Sequence, residues 1–193
     1  MGDAGRGGGF CFVLGRLIML TRKQQTLINE LTDSLHEEEQ STYTEIVNCL
    51  VELGYIPQRN RSYISFKHKT NDRIIAKIRN GDIRIKFFAC KNPPEKYIDA
   101  LRVEMNSSDG QYSMSVPNLD CSPTQNGVIM KKCTLLCNVC TGGGMRYYYK
   151  FSDGKELFRC GAYPVLIPDV VENDVKELKR LILEQHNYFL SLA

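Results

Sequence analysis

Apolar residues recur at helical spacing near both ends of the chain and alternate with polar ones in its middle. Leu27, Ile28, Leu31 and Leu35 share one face of a helix predicted over 21–40. Glu37, Glu38 and Glu39 then fall at its C-terminal end, where the helix dipole disfavours them. A second helix is predicted over 42–53. Thr42 with Glu45 fits a capping box, Ile46, Val47, Leu50 and Leu53 form the stripe, and Gly54 fits a left-handed stop. Cys49 lies beside that stripe and reads as a small core residue.

Residues 55–57, with Pro57, end the helical part, and strands are predicted over 63–69, 74–79 and 83–89. Asn80-Gly81 is a strong hairpin signal, so these three strands form an antiparallel meander. Alternation places Ile64, Phe66, His68, Ile74, Ala76, Ile78, Ile83, Ile85, Phe87 and Ala89 on one face. His68 therefore reads as a hydrogen-bonded core residue. A third helix is predicted over 92–105, opened by Pro93 and Pro94, with Tyr97, Ile98, Leu101 and Met105 as its stripe. The stretch 106–128 is polar and long for a connection, and Cys121 within it has no assigned role. After an extended 164–168, a terminal helix is predicted over 169–190. Val175, Leu178, Leu181, Ile182, Gln185 and Phe189 line its inner side, while His186 and Tyr188 read as surface or edge residues.

The predicted fold class is α+β. It comprises N-terminal helices, a three-stranded antiparallel meander plus helix, then a zinc-knuckle-like cysteine hairpin and a long C-terminal helix. The organisation is a head over 1–20, an α+β domain over 21–105, an irregular linker over 106–130 and a cysteine hairpin with terminal helix over 131–193. The last part can pack with 21–105 as one domain. The glycine-rich head reads as a disordered tail or an over-extended start before Met19.

At 193 residues the chain can bury one good core, and 42% hydrophobic with 24% charged residues is ordinary for a soluble protein. The net charge of +3 matters less than its distribution. Residues 21–53 carry two cations against seven anions, whereas 58–104 carry twelve cations against five anions. That split fits an acidic helical layer near a basic sheet, or a surface for an anionic partner. The apolar run of the head is broken by Arg16 and lacks a small-residue cleavage site. No stretch reaches the roughly 20 apolar residues of a membrane span. A cytoplasmic, reducing location is expected, where clustered cysteines are more often metal ligands or redox groups than disulfides.

Of the eight cysteines, three fall close together at Cys133, Cys137 and Cys140, and Cys160 follows after nineteen intervening residues. Zinc takes about four thiolate or imidazole ligands, and a Cys-x2-Cys knuckle with a second element returning the rest is a usual way to supply them. Cys137-Asn-Val-Cys140 is the knuckle. Predicted strands over 147–151 and 155–159, joined by Ser152-Asp153-Gly154, bring Cys160 back beside it, and Cys133 completes the set. Cys137 and Cys140 are the firm pair, since His68 or Cys121 could replace one of the others. Lys131, Lys132, Arg146 and Arg159 would offset the charge of a tetrathiolate. The alternative cofactor is an Fe–S cluster, in a small iron–sulfur or thiol redox protein. The triad spacing Cys133-x3-Cys137-x2-Cys140 matches radical S-adenosylmethionine enzymes. The 53 residues after Cys140 are too few for their barrel, however, and Cys160 fills the coordination site they leave open. Cys137-x-x-Cys140 does not open a helix in a βαβ unit, which argues against a thioredoxin-like site.

Three segments carry a resemblance. They are Phe87-Phe-Ala-Cys-Lys91, the run from Cys137-Asn-Val-Cys-Thr-Gly-Gly-Gly to Met145-Arg-Tyr-Tyr-Tyr-Lys-Phe151, and Phe158-Arg-Cys-Gly-Ala-Tyr-Pro164. With them the chain after the head resembles an uncharacterised group of small bacterial cysteine-cluster proteins. The resemblance implies one coherent domain and carries no activity with it.

Opposite the apolar face of the meander, alternation collects Lys67, Lys69, Lys77, Arg79, Arg84 and Lys86. Six cations on adjacent strands, with Tyr63 and Phe88 nearby, could track a phosphate backbone and stack bases. The plainer reading is a solvated outer face, or one covered by the acidic helix. No known nucleic-acid signature accompanies it. His36, His68 and His186 sit in no catalytic motif, and no nucleophile elbow or phosphate loop stands out. The sequence thus points to a metal-binding module, non-enzymatic on the balance of its motifs, with a basic face for nucleic acid or another polyanion; an enzyme of unrecognised type is the third reading.

Overall fold

The structure, a computed structural model, describes residues 20–106, 124–125, 128–129, 146–150, 156–161 and 164–192. The head, and most of the polar 106–130 stretch and the cysteine stretch, lie outside the described residues.

Helix α1 (Arg22–Asp33) opens on a capping box. The Gln24 N–H donates to Thr21 Oγ at 3.3 Å, and the Gln24 side chain accepts from the Thr21 N–H at 2.9 Å. The predicted single helix over 21–40 is in fact interrupted. The chain turns at Ser34, whose hydroxyl donates to the Leu31 carbonyl at 2.7 Å. Helix α2 (Glu37–Glu52) then begins, so the three glutamates occupy its first turn. That position favours acidic groups, and the Glu39 carboxylate accepts from the His36 N–H at 3.2 Å. Leu27, Leu31 and Leu35 are all buried, because the turn keeps Leu35 on the core side while redirecting the axis. Gly54, at φ +90°, ends α2 as predicted.

The meander is larger than predicted. Strand β1 (Tyr55–Asn60) follows Gly54 directly and pairs antiparallel with β2 (Tyr63–His68), with Tyr55 opposite His68. Strand β3 (Ile74–Arg79) and β4 (Asp82–Ile85) continue it through the Asn80-Gly81 turn, where both residues have positive φ. The third predicted strand ends at Ile85 rather than residue 89. After β4 comes α3 (Glu95–Asn106). Two short pairs follow, β5 (Thr124–Gln125) with β6 (Val128–Ile129), and β7 (Arg146–Lys150) with β8 (Glu156–Cys160). Strand β9 (Val165–Ile167) returns to pair with β4, giving a five-stranded antiparallel sheet of order β1-β2-β3-β4-β9. A short 3-10 turn (Glu172–Asp174) leads into α4 (Val175–Leu190), which starts later than the predicted 169.

One face of the sheet is covered by helices. Helices α1 and α2 lie against β1, α4 lies against α2 and β3, and α3 lies against β9. Ile64, Phe66, Ala76, Ile78, Ile83 and Ile85 from the sheet join Ile46, Leu50, Leu178, Leu181 and Ile182 in one core. Burying each large aliphatic side chain contributes about 1.5–3 kcal/mol, which makes the alternation of the strands decisive for their facing. A register shift opposite Phe66/Lys67 alters the pattern in β3. Ile75 and Ala76 are both fully buried, whereas Ile74, assigned by alternation to the core, is only half-buried. No helix among the described residues is long and apolar enough to cross a membrane.

Candidate functional site

The register places part of the predicted basic surface on adjacent strands. Ser65 stands opposite Lys77, and Lys77 opposite Arg84, so these three form a row across β2, β3 and β4. Lys67 lies one step along β2 on the same side as Ser65, and Arg79 one step along β3. Lys69 and Lys86 fall just outside the strands. Lys69 is an exposed turn residue whose N–H donates to the Gly54 carbonyl at 3.2 Å, and the Lys86 N–H donates to the Ile75 carbonyl at 2.8 Å.

Local chemistry differs along this surface. Lys67 has the Asp72 carboxylate at 2.9 Å, and Arg79 has Asp82 at 3.2 Å and the Ser62 hydroxyl at 3.2 Å. Such half-exposed pairs are weak and leave the cations available to a stronger anion. The Arg79 and Arg84 guanidiniums lie 4.6 and 5.8 Å from the Tyr63 ring centroid. Lys77 and Arg84 are like charges directly opposite each other. Partial burial first, and Arg84 second, push the Lys77 ammonium below its ordinary 10.5. Ser65, only 2% exposed, has a hydroxyl with no hydrogen-bond partner. Phe88, predicted to help stack bases, instead packs edge-on against Tyr147, Tyr188 and Phe189.

Of the predicted metal ligands, Cys133, Cys137 and Cys140 lie outside the described residues. Cys160 ends β8 opposite Arg146, so the two predicted strands pair, each one residue out of the predicted frame. Among the described residues, no group of three or more His, Cys, Asp or Glu side chains comes together to hold a metal. Cys49 packs against the core as expected, and burial, followed by Glu52, pushes its thiol up to about 11. Burial likewise pushes Cys90 up to about 12, and its thiol donates to the Leu181 carbonyl at 3.1 Å.

His68 is a core residue, as expected, and its ring is occupied. Its Nδ1 is 3.1 Å from the Thr70 hydroxyl, and the Leu53 backbone also hydrogen-bonds the ring. His186 corrects the sequence reading. It is 8% exposed, and its Nδ1 is 3.3 Å from the Tyr55 hydroxyl. An inward position follows from helix geometry, since His186 adjoins the Ile182 and Phe189 stripe of α4 at four- and three-residue spacing. The polar ring masked that signal.

Compared with known protein families, with curated proteins and with solved structures, the chain matches none of them.

Proposed function

We propose that this is a small cytoplasmic, non-enzymatic metal-binding protein whose basic sheet face engages nucleic acid or another polyanion. In this reading Cys133, Cys137, Cys140 and Cys160 hold a structural zinc ion. The β7–β8 hairpin supports it, because it returns Cys160 at the end of β8.

The observation that carries the partner assignment is the cationic row on the sheet. Lys77 and Arg84 oppose each other, next to the unpartnered Ser65 hydroxyl. Like charges so placed cost stability, and a phosphate oxygen beside them would relieve the repulsion. Arg79, Arg84 and Tyr63 extend the same surface with guanidinium and aromatic groups suited to backbone and base contacts.

Metal analysis of protein purified without air, together with oligonucleotide binding at low and moderate salt, tests both parts. One equivalent of zinc and salt-sensitive binding are expected. Colourless protein without zinc would overturn the metal assignment, and brown protein would replace zinc by an iron–sulfur cluster. Absence of salt-sensitive binding to single- or double-stranded nucleic acid would return the basic face to a solvated outer surface.

A further inference from the structure

Two histidines from distant parts of the chain meet inside the fold. His68 ends β2 and His186 lies on α4, and their ring centroids are 5.4 Å apart. Tyr55, at the start of β1, stands edge-on to both, at 5.0 Å from His68 and 5.6 Å from His186. The two imidazoles are 6% and 8% exposed. This cluster joins three elements: the first strand, the second strand and the terminal helix.

The surroundings suit neutral rings. Lys69 disfavours a charged His68, and the Arg73 guanidinium bears on Tyr55 and lies 5.3 Å from the Phe189 ring centroid. Of the nearby acids, Asp72 is paired with Lys67 at 2.9 Å, and Glu52 at the end of α2 bears on the Cys49 thiol. Thr70 and Tyr55 contribute hydroxyls, and Leu53 a backbone group.

We infer that the His68–Tyr55–His186 cluster is an acid-sensitive latch that holds α4 on the sheet and, through α4, the hairpin that returns Cys160. Taking up a proton on each ring places two cations about one ring-width apart beside Lys69 and Arg73. The path to the hairpin is a continuous set of contacts. Tyr188 and Phe189, adjoining His186 on α4, pack edge-on against Phe88, Phe88 packs on Tyr147 of β7, and the Phe87 N–H donates to the Tyr147 hydroxyl at 3.3 Å.

Burial lowers both imidazoles from their ordinary 6.5, and His68 lowers His186 further. The sign follows directly. Between the folded value and 6.5 the unfolded chain binds more protons, so stability is complete above about 6.5 and falls as pH drops through the window beneath it. Each proton contributes up to about tenfold per pH unit in the unfolding constant, so the pair contributes up to about 100-fold.

The test is imidazole titration by NMR in the full chain, with unfolding measured from neutral to mildly acid pH, above the range where ordinary carboxylates titrate. Both resonances are expected to titrate below the ordinary value. His68→Asn and His186→Asn, which preserve a polar atom near Nδ1, should each reduce the limiting slope to about tenfold per unit. Hydrogen exchange should quicken in α4 and β7 at acid pH before it does in α2. Either resonance titrating at or above the ordinary value, or Asn variants retaining the full slope, overturns the latch. Uniform exchange behaviour overturns its link to the hairpin. Should an Asn variant fail to fold, the titration of the unaltered chain still decides.

Discussion

Lys77→Gln should weaken polyanion binding without weakening the fold, and the opposite signs make it a sharp test. The lysine faces Arg84 across β3 and β4, where like-charge opposition costs about 0.2–1 kcal/mol. Its ammonium is held below the ordinary 10.5 by burial and then by Arg84, so the charged form is less favourable in the fold than in the unfolded chain. Stability attributable to this group therefore rises as pH climbs through the window beneath 10.5 and levels off above it, and at neutral pH the penalty is fully present. Glutamine removes it, so unfolding free energy should stay level or increase by up to about 1 kcal/mol in urea titrations followed by circular dichroism. Binding should change the other way. Losing one phosphate contact lowers the slope of log K against log salt by about 0.7 on a single strand, or about 0.9 on a duplex. At about 0.1 M salt the same term amounts to roughly fivefold to eightfold in affinity. Anisotropy of a labelled oligonucleotide across a salt series measures both. A variant destabilised by more than about 0.5 kcal/mol, beyond the usual range for surface changes, would refute the repulsion argument. Unchanged slope and affinity would refute the role of Lys77 in binding.

Gly54→Ala should cost more than Gly81→Ala. Both glycines have positive φ, which costs a side chain about 1–2 kcal/mol, but the new Cβ at 54 meets the buried His68 ring at 3.2 Å whereas that at 81 meets the movable Glu39 carboxylate at 3.3 Å. Thermal melts giving equal losses would refute the packing difference. Cys140→Ser should lose metal and loosen the C-terminal half, whereas Cys49→Ser keeps full occupancy; equal metal content in the two would refute the ligand assignment. At mildly alkaline pH, Cys49 and Cys90 should alkylate far more slowly than a model thiol, because thiols held near 11 and 12 against an ordinary 9.0 carry at least about 100-fold less thiolate. Mass-spectrometric rates matching the model thiol would show that burial does not protect them.

Local chemistry was readable wherever one residue type has one use. Asn80-Gly81 turns the chain between β3 and β4, and Gly54 stops α2, because positive φ is difficult for other residues. Alternation in β2 and β4 assigned Ile64, Phe66, Ile83 and Ile85 to the core and Lys67 and Arg84 to the other face. Strand β1 was not readable in this way. It contains Pro57, Gln58, Arg59 and Asn60, an unpromising strand composition that is accommodated at the sheet edge, where a residue without an N–H loses no ladder bond on its open side. The break before α2 was also hidden, since the leucine stripe runs through it while the glutamates gain from a new helix N-terminus.

For the candidate site, sequence alone established that cations alternate with apolar residues and that three cysteines cluster at 133, 137 and 140 with a fourth at 160. It could not say which cations stand side by side, because register depends on pairing between strands. Tertiary structure brought Ser65, Lys77 and Arg84 into one row and left Lys69 and Lys86 beyond the strand ends. It also joined His186 to Tyr55, 131 positions away in the chain. Periodicity records which way a side chain faces within its own element. What it faces is set by burial and pairing across the whole fold, and a polar ring such as His186 becomes a core residue only when distant partners satisfy it.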